Sequence, residues 1–194
     1  MRTAWGYDVD DELPPILTVG EFLDMTGGEP SDRITSALNA ASQAIRNYCG
    51  WHICPAIECT ANPVGGAIVA KLPAGYVSSI TSITENGVTL ASTDYQWRKD
   101  GLIKRAAPYA WSDAWDGIEA VYTAGYDSAA LPDLAEAVCA IASGVLAVAP
   151  GVASESADGV SISYSASASS IAAALTSQQK NALEPYKLRS SHAA

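Results

Sequence analysis

Four side chains with soft donor atoms, Cys49, His52, Cys54 and Cys59, fall within eleven consecutive positions. Thiolate sulfur and imidazole nitrogen are the ligands of tetrahedral zinc sites. Such sites are usually built from C-x-x-C or H-x-x-x-H arms, in which two tight turns each present two ligands, and neither spacing occurs here. The expectation is that these residues hold no metal. Cys49 should pack with Trp51 at a helix end, Cys54 and Cys59 should bury where the chain approaches a sheet, and all four cysteines, Cys139 included, should be reduced thiols. Asp8, Asp10, Asp11 and Glu12 set carboxylates at nearly alternate positions, as a calcium loop does, but without its central glycine or closing glutamate, so they read as a solvated arm.

Other chemistry has less to work with. No G-x-S-x-G elbow occurs, and the histidines are His52 and the tail residue His192. Asp113, Asp116 and Glu119 are candidate acid and base pairs, of a kind that surface loops carry routinely. Gly65-Gly66 is followed by no lysine at the place a phosphate loop requires. Trp97, Tyr109, Trp111, Trp115 and Tyr122 form an aromatic group suited to a core, a carbohydrate surface or a protein contact. No catalytic residue and no cofactor are expected. A net charge of −10 repels nucleic-acid phosphate and anionic lipid, which argues against sequence-independent DNA binding.

The elements that must position these residues are read from periodicity. With 194 residues, 48% of them apolar, the chain is long enough for one cored domain, expected over 17–188, with a flexible acidic arm at 1–16 and a tail at 189–194. Thr18-x-x-Glu21 is a capping box opening a helix over 18–26 that Gly27-Gly28 closes. Ile34, Ala37, Leu38, Ala41, Ile45 and Tyr48 recur at helical steps, predicting a helix over 31–49 that ends on Gly50 within Tyr48-Cys49-Gly50-Trp51-His52-Ile53. From 57 to 124 short β-type runs alternate with turns, among them Asn86-Gly87 and Asp100-Gly101, both expected as type I′ hairpin turns. Pro132 opens a third helix, 132–149, apolar nearly all round and therefore in need of cover on most sides, by the chain or by a neighbouring subunit. It is shorter than the roughly 20 residues of a membrane span. The long Ser-rich and Ala-rich arm 151–175 holds Val160, Ile162 and Tyr164 at alternate positions, a strand with no evident partner. Thr176-x-x-Gln179 caps a last helix, 176–187, and no export signal is seen, so the protein is expected to stay where it is made. The fold class is α+β: N-terminal helices, a central antiparallel β meander, an apolar third helix, an extended arm and a short C-terminal helix.

Several strings, in order, resemble a known family. They are Leu17-Thr18-Val19 with Glu21-Phe22; Ala41 to Ile53; Ser79 to Thr84 with Asn86-Gly87-Val88; Asp100-Gly101-Leu102; Tyr122 to Asp127 followed by Pro132; Gly151-Val152 with Ser154-Glu155-Ser156; Gly159-Val160 to Tyr164; and Leu175-Thr176 to Leu188. Together they resemble the head-to-tail connector (adaptor or head completion) proteins of tailed bacteriophages, of the actinobacterial phage type. The acidic first sixteen residues and the cysteine-rich block depart from that pattern.

The resemblance implies a non-enzymatic structural protein of the virion neck, assembled in the host cytoplasm. It would form a homo-oligomeric ring, a dodecamer, between the portal protein and a stopper or tail-completion protein. Genomic DNA would pass through the lumen without specific binding, and no membrane is involved. On this reading Val160, Ile162 and Tyr164 of the arm contact a neighbouring subunit or the portal. Leu134, Val138, Ile141 and Val145 of the third helix serve a core or an interface, and Leu183, Tyr186 and Leu188 give the C-terminal helix its contact. The alternatives are a stopper or tail-completion protein of the same neck and, from another class, a β-rich carbohydrate-binding module or glycosidase built on the aromatic group.

Overall fold

The helices begin where side chains can satisfy the orphan N–H groups of a first turn. In the computed structural model, which describes residues 1–147, 154–157, 160–163 and 175–188, the first helix, α1 (Val19–Thr26), is capped by Thr18. The N–H of Glu21 donates to Thr18 Oγ1 at 3.2 Å, and Glu21 Oε2 accepts from the N–H of Thr18 at 2.8 Å. Hydrogen bonds from Thr18 hold the Glu21 carboxyl below the ordinary carboxylate range. The second helix, α2 (Asp32–Cys49), starts after Ser31, whose carbonyl accepts from the N–H of Ile34 at 3.0 Å. The third, α3, spans Pro132–Ala147, and the fourth, α4, spans Ser177–Leu183 behind the Thr176 and Gln179 capping box. Short 3-10 turns occupy Ser128–Ala130 and Glu184–Tyr186.

The chain divides into two compact units. One comprises Pro14–Tyr48 and Ser128–Pro185, and its core is helical. The α2 stripe is buried at Ala37, Leu38, Ala41 and Ile45, joined by Phe22 of α1, Leu134, Val138 and Ile141 of α3 and Leu183 of α4. Each large apolar side chain taken fully out of water contributes about 1.5–3 kcal/mol. Two polar residues in the α2 stripe are also buried. Ser42 Oγ accepts from the N–H of Ile16 at 2.9 Å, and an Arg46 Nη2–H donates to the carbonyl of Pro14 at 2.7 Å. Both bonds fix the segment leading into α1. The third helix leaves Asp133, Glu136, Ala140, Gly144 and Ala147 in the open, a stripe of acidic and small residues that the described residues of this chain do not cover.

The arm strand also has a partner. Strands β9 (Ser154–Ala157) and β10 (Val160–Ser163) pair antiparallel, with Ser154 opposite Ser163 and Ala157 opposite Val160. The expected lone strand is thus one half of a hairpin, because Ser154 to Ala157, read as loop, supplies the ladder bonds. Tyr164 and the ends of the arm at 151–153 and 164–174 lie outside the described residues.

The other unit comprises Met1–Leu13, Cys49–Asp127 and the stretch from Tyr186. Its first sheet contains β1 (Tyr7–Asp8), β2 (Ile57–Ala61), β4 (Val77–Glu85), β5 (Val88–Thr89) and β8 (Ile118–Ala124), in the spatial order β1-β2-β8-β4-β5. The second contains β3 (Val69–Lys71), β6 (Tyr95–Trp97) and β7 (Leu102–Arg105), ordered β3-β7-β6. All pairings are antiparallel, as expected. Neighbours in sequence pair in the β4-β5 and β6-β7 hairpins, whereas β8 returns to the centre of the first sheet between β2 and β4. Its alternation explains this position: Ile118, Ala120, Tyr122 and Ala124 are all buried on one face.

Asn86 and Gly87 both take positive φ, 49° and 79°, as a type I′ turn requires. At Asp100-Gly101 only Gly101 does, with φ 81°, and its N–H donates to the carbonyl of Arg98 at 2.9 Å. The second turn is therefore corrected to a four-residue turn over 98–101 with glycine at its last position. Residues 1–16, expected as a flexible acidic arm, contribute β1 on the edge of the first sheet, where Tyr7 and Val9 are buried, while Ile16 is buried in the helical unit. Burial of those apolar residues outweighs the solvation of their acidic neighbours. Among the described residues no helix is long and apolar enough to cross a membrane.

Candidate functional site

The cysteine and histidine block folds into the core of the sheet-bearing unit. Gly50 takes φ 79° after α2 and turns the chain, after which Trp51, His52, Ile53 and Cys54 are all fully buried. The carbonyl of Ala124 can only accept, so the contact of His52 Nε2 with it at 3.0 Å puts the ring proton on Nε2. Nδ1 then accepts from the Tyr7 hydroxyl at 2.7 Å, and the N–H of His52 donates back to Tyr7 Oη at 3.0 Å. Both ring nitrogens are thereby occupied in holding β1 and the end of β8. Gly125 lies against the ring with φ 105°, and a Cβ there would come within 2.7 Å of Nε2. Trp51 closes the other side, its ring 5.5 Å from His52 and its Nε1–H donating to the carbonyl of Tyr186 at 2.6 Å.

Cys49, Cys54, Cys59 and Cys139 are all buried. Burial pushes the Cys59 thiol up to about 12. It also raises the Tyr122 phenol, which lies opposite Cys59 across the β2-β8 ladder and whose hydroxyl finds no hydrogen-bond partner among the described residues. Among the described residues no three His, Cys, Asp or Glu side chains gather to hold a metal ion.

A second polar centre ties the two sheets' connections together. Arg105 Nε donates to Glu85 Oε2 at 3.0 Å with both side chains 13% exposed, and an Nη1–H donates to the carbonyl of Asp94 at 2.6 Å. The guanidinium lies 5.5 Å from the Tyr109 ring and 5.7 Å from the Trp111 ring. The other carboxylate oxygen of Glu85 accepts from the N–H of Ser112 at 2.7 Å. One carboxylate thus binds the end of β4, the end of β7 and the loop 106–117. Sequence reading misses this hub and Tyr7 alike, since neither belongs to any local motif.

The aromatic group is split by the fold. Trp111 and Tyr122 are core, whereas Trp97, Tyr109 and Trp115 are exposed by 36%, 62% and 99%. Asp113, Asp116 and Glu119 are exposed. Leu134, Val138 and Ile141 are buried, while Val145 is half-buried. Leu183 is buried by the helical unit. Tyr186 and Leu188 meet the sheet-bearing unit, Tyr186 edge-on to Tyr126 at 6.1 Å and the Leu188 N–H donating to the carbonyl of Cys49 at 2.7 Å. Val160 and Ile162 lie on β10.

This chain has counterparts of the same architecture among solved structures. Its fold is shared over 97% of this chain and 98% of the other with a chain from the neck of the native GTA particle computed with C12 symmetry, at a TM-score of 0.67 and 18% identity. A chain from the neck of the empty GTA particle computed with C6 symmetry matches over the same shares, at a TM-score of 0.64 and 18% identity. Residues 15–173 match the head completion protein family, and the chain belongs to that family. No curated relative matches it.

Proposed function

We propose that this protein is a structural component of a virion neck, forming a ring that joins the portal vertex of a capsid to the stopper or tail and leaves a passage for DNA. The observation that carries this reading is family membership over residues 15–173 together with a fold shared end to end with chains of a particle neck. The C12 symmetry of that neck supports a dodecamer. The role is non-catalytic: the one histidine among the described residues has both ring nitrogens engaged in the core, and Asp113, Asp116 and Glu119 are exposed. A charge of −10 per copy, multiplied round a ring, gives a conduit to which a polyanion does not adhere.

The arm is the proposed contact with the next subunit or the portal, through Val160, Ile162 and Tyr164. A two-stranded ribbon is marginal in water, and among the described residues no further strand pairs with either edge, so it gains main-chain hydrogen bonds by joining another strand. The test is to mix the purified chain with its cognate portal and examine the product by native mass spectrometry and electron microscopy. A ring seated on the portal is the expected result; a chain that stays monomeric with portal present rejects the proposal.

A further inference from the structure

We propose that the Trp115 loop of one copy docks on the β6-β7 turn of the next copy, so that acidic and basic ends of the same unit meet head to tail. This rests on the ring reading above and names the surfaces that would make the ring.

Trp115 is 99% exposed, yet the loop that carries it is built tightly. The N–H of Gly117 donates to the carbonyl of Ala114 at 3.0 Å, and the N–H of Asn86 donates to the carbonyl of Gly117 at 2.8 Å. The Ser112 hydroxyl donates to Asn86 Oδ1 at 2.9 Å, and the Ser112 N–H is held by Glu85 at 2.7 Å. A Cβ on Gly117 would come within 2.9 Å of both the Ala114 carbonyl and Ser112 Oγ, so only glycine closes this turn. The result is a rigid platform holding one indole in water. A loop whose backbone is already held loses little further freedom when its one exposed aromatic side chain is buried by a partner, which favours that residue as an anchor.

Charge selects the occupant. Asp113 and Asp116 flank Trp115 within its loop, Glu119 follows on β8, and all three are exposed. At the other end of the unit, the β6-β7 turn presents Arg98 and Lys99 with Lys71 beside them, against the single carboxylate of Asp100. Arg98 meets Asp100 at 3.0 Å with 73% of its side chain still exposed, Lys71 Nζ donates to the Asp100 carbonyl, and Lys99 Nζ lies 5.8 Å over the Tyr76 ring. Trp97, 36% exposed, supplies apolar surface at this end for an incoming indole. In a chain carrying 21 acidic and 11 basic residues, such a basic cluster is a local exception.

The two ends are separated by the length of β4. The N–H of Val77, its first residue, donates to the carbonyl of Lys99, and Glu85, its last, holds the Trp115 loop. Eight steps of roughly 3.3 Å along this nine-residue strand put the ends about 26 Å apart. Complementary patches at opposite ends could also pair reciprocally across a two-fold axis, and it is the ring reading above that selects the head-to-tail arrangement. In that arrangement they make a heterologous contact, which each copy gives once and receives once, and which closes into a ring when the rotation closes.

The test uses full-length chain, alone and on portal, with ring formation read by native mass spectrometry and sedimentation. Trp115→Ala should fold as the parent does, since its side chain touches nothing, and should raise the concentration for half-assembly by about tenfold or more. Asp113→Lys with Asp116→Lys should block assembly, and so should Arg98→Glu with Lys99→Glu. An equimolar mixture of the two charge-reversed chains should restore rings, because each then meets its opposite on both sides. If the parent forms rings and all three variants do so equally well, the docking is wrong while the ring stands. If the parent forms no ring even on the portal, both readings fall.

Discussion

At the residue scale, the block that looked most like a metal site is a buried structural knot. Four donor atoms close in sequence are dispersed by the fold because each is needed elsewhere: His52 bridges Tyr7 and Ala124, and Cys59 faces Tyr122 across the β2-β8 ladder. That the cysteines bury was legible, since free thiols in an apolar context behave as small hydrophobic groups. The Tyr7 to His52 bond was not, because it joins positions 45 residues apart and Tyr7 stands beside a run of acids that reads as solvent-exposed. The Cys59 thiol gives a measurable consequence. Its ordinary value of 9.0 is raised to about 12 by burial, so below pH 9 both folded and unfolded chains keep the proton. Between those values the unfolded chain releases a proton the folded chain retains, and stability falls by up to about 1.4 kcal/mol per pH unit. The loss is complete above the folded value. Urea unfolding midpoints should therefore fall more steeply from pH 8 to pH 10 for the parent than for Cys59→Ala; parallel slopes would show that the thiol is not protected.

At the element scale, helices were the most legible part, because caps and periodicity are local. Both capping boxes form as their spacing predicts, and Ala37, Leu38, Ala41 and Ile45 are buried in one stripe. Strand order was less legible. The place of β8 between β2 and β4 depends on pairings between residues more than thirty positions apart, which no turn signal encodes. The outward stripe of α3 escaped notice for another reason: Ala140, Gly144 and Ala147 count as apolar, yet are small enough to face water at little cost. The α2 stripe supplies the prediction at this scale. Ile45 is fully buried, so Ile45→Asp brings into the helical core a carboxylate with no partner provided for it. The expected loss is on the order of 4 kcal/mol or more, read as a collapse of the thermal transition. A melting temperature close to the parent's would mean that α2 does not dock by this face.

At the scale of the whole molecule, the question is which parts serve the fold and which serve assembly, and the β9-β10 hairpin separates the two. It forms a sheet of its own, distinct from the two sheets of the other unit. Its register sets Ser154 opposite Ser163, so its two ends are neighbours about 5 Å apart, and cutting out 154–163 rejoins points already close together. Among the residues whose burial is described, the core of the helical unit lies on its four helices and at Ile16, Leu17, Leu131 and Leu175. The shortened chain is therefore expected to keep the parent's circular dichroism and to unfold within about 1 kcal/mol of it, as a deletion that spares the core should. Its failure should come at assembly. If the open edges of the ribbon are completed by a neighbouring subunit or the portal, the deletion removes main-chain hydrogen bonds that no other strand replaces, and seating on the portal should be lost while folding persists. Trp115→Ala then offers the contrast, since it weakens contact between copies and leaves the ribbon intact. A shortened chain that seats on portal as well as the parent would assign the arm no part in assembly, and the contacts would have to lie on the sheet-bearing unit alone.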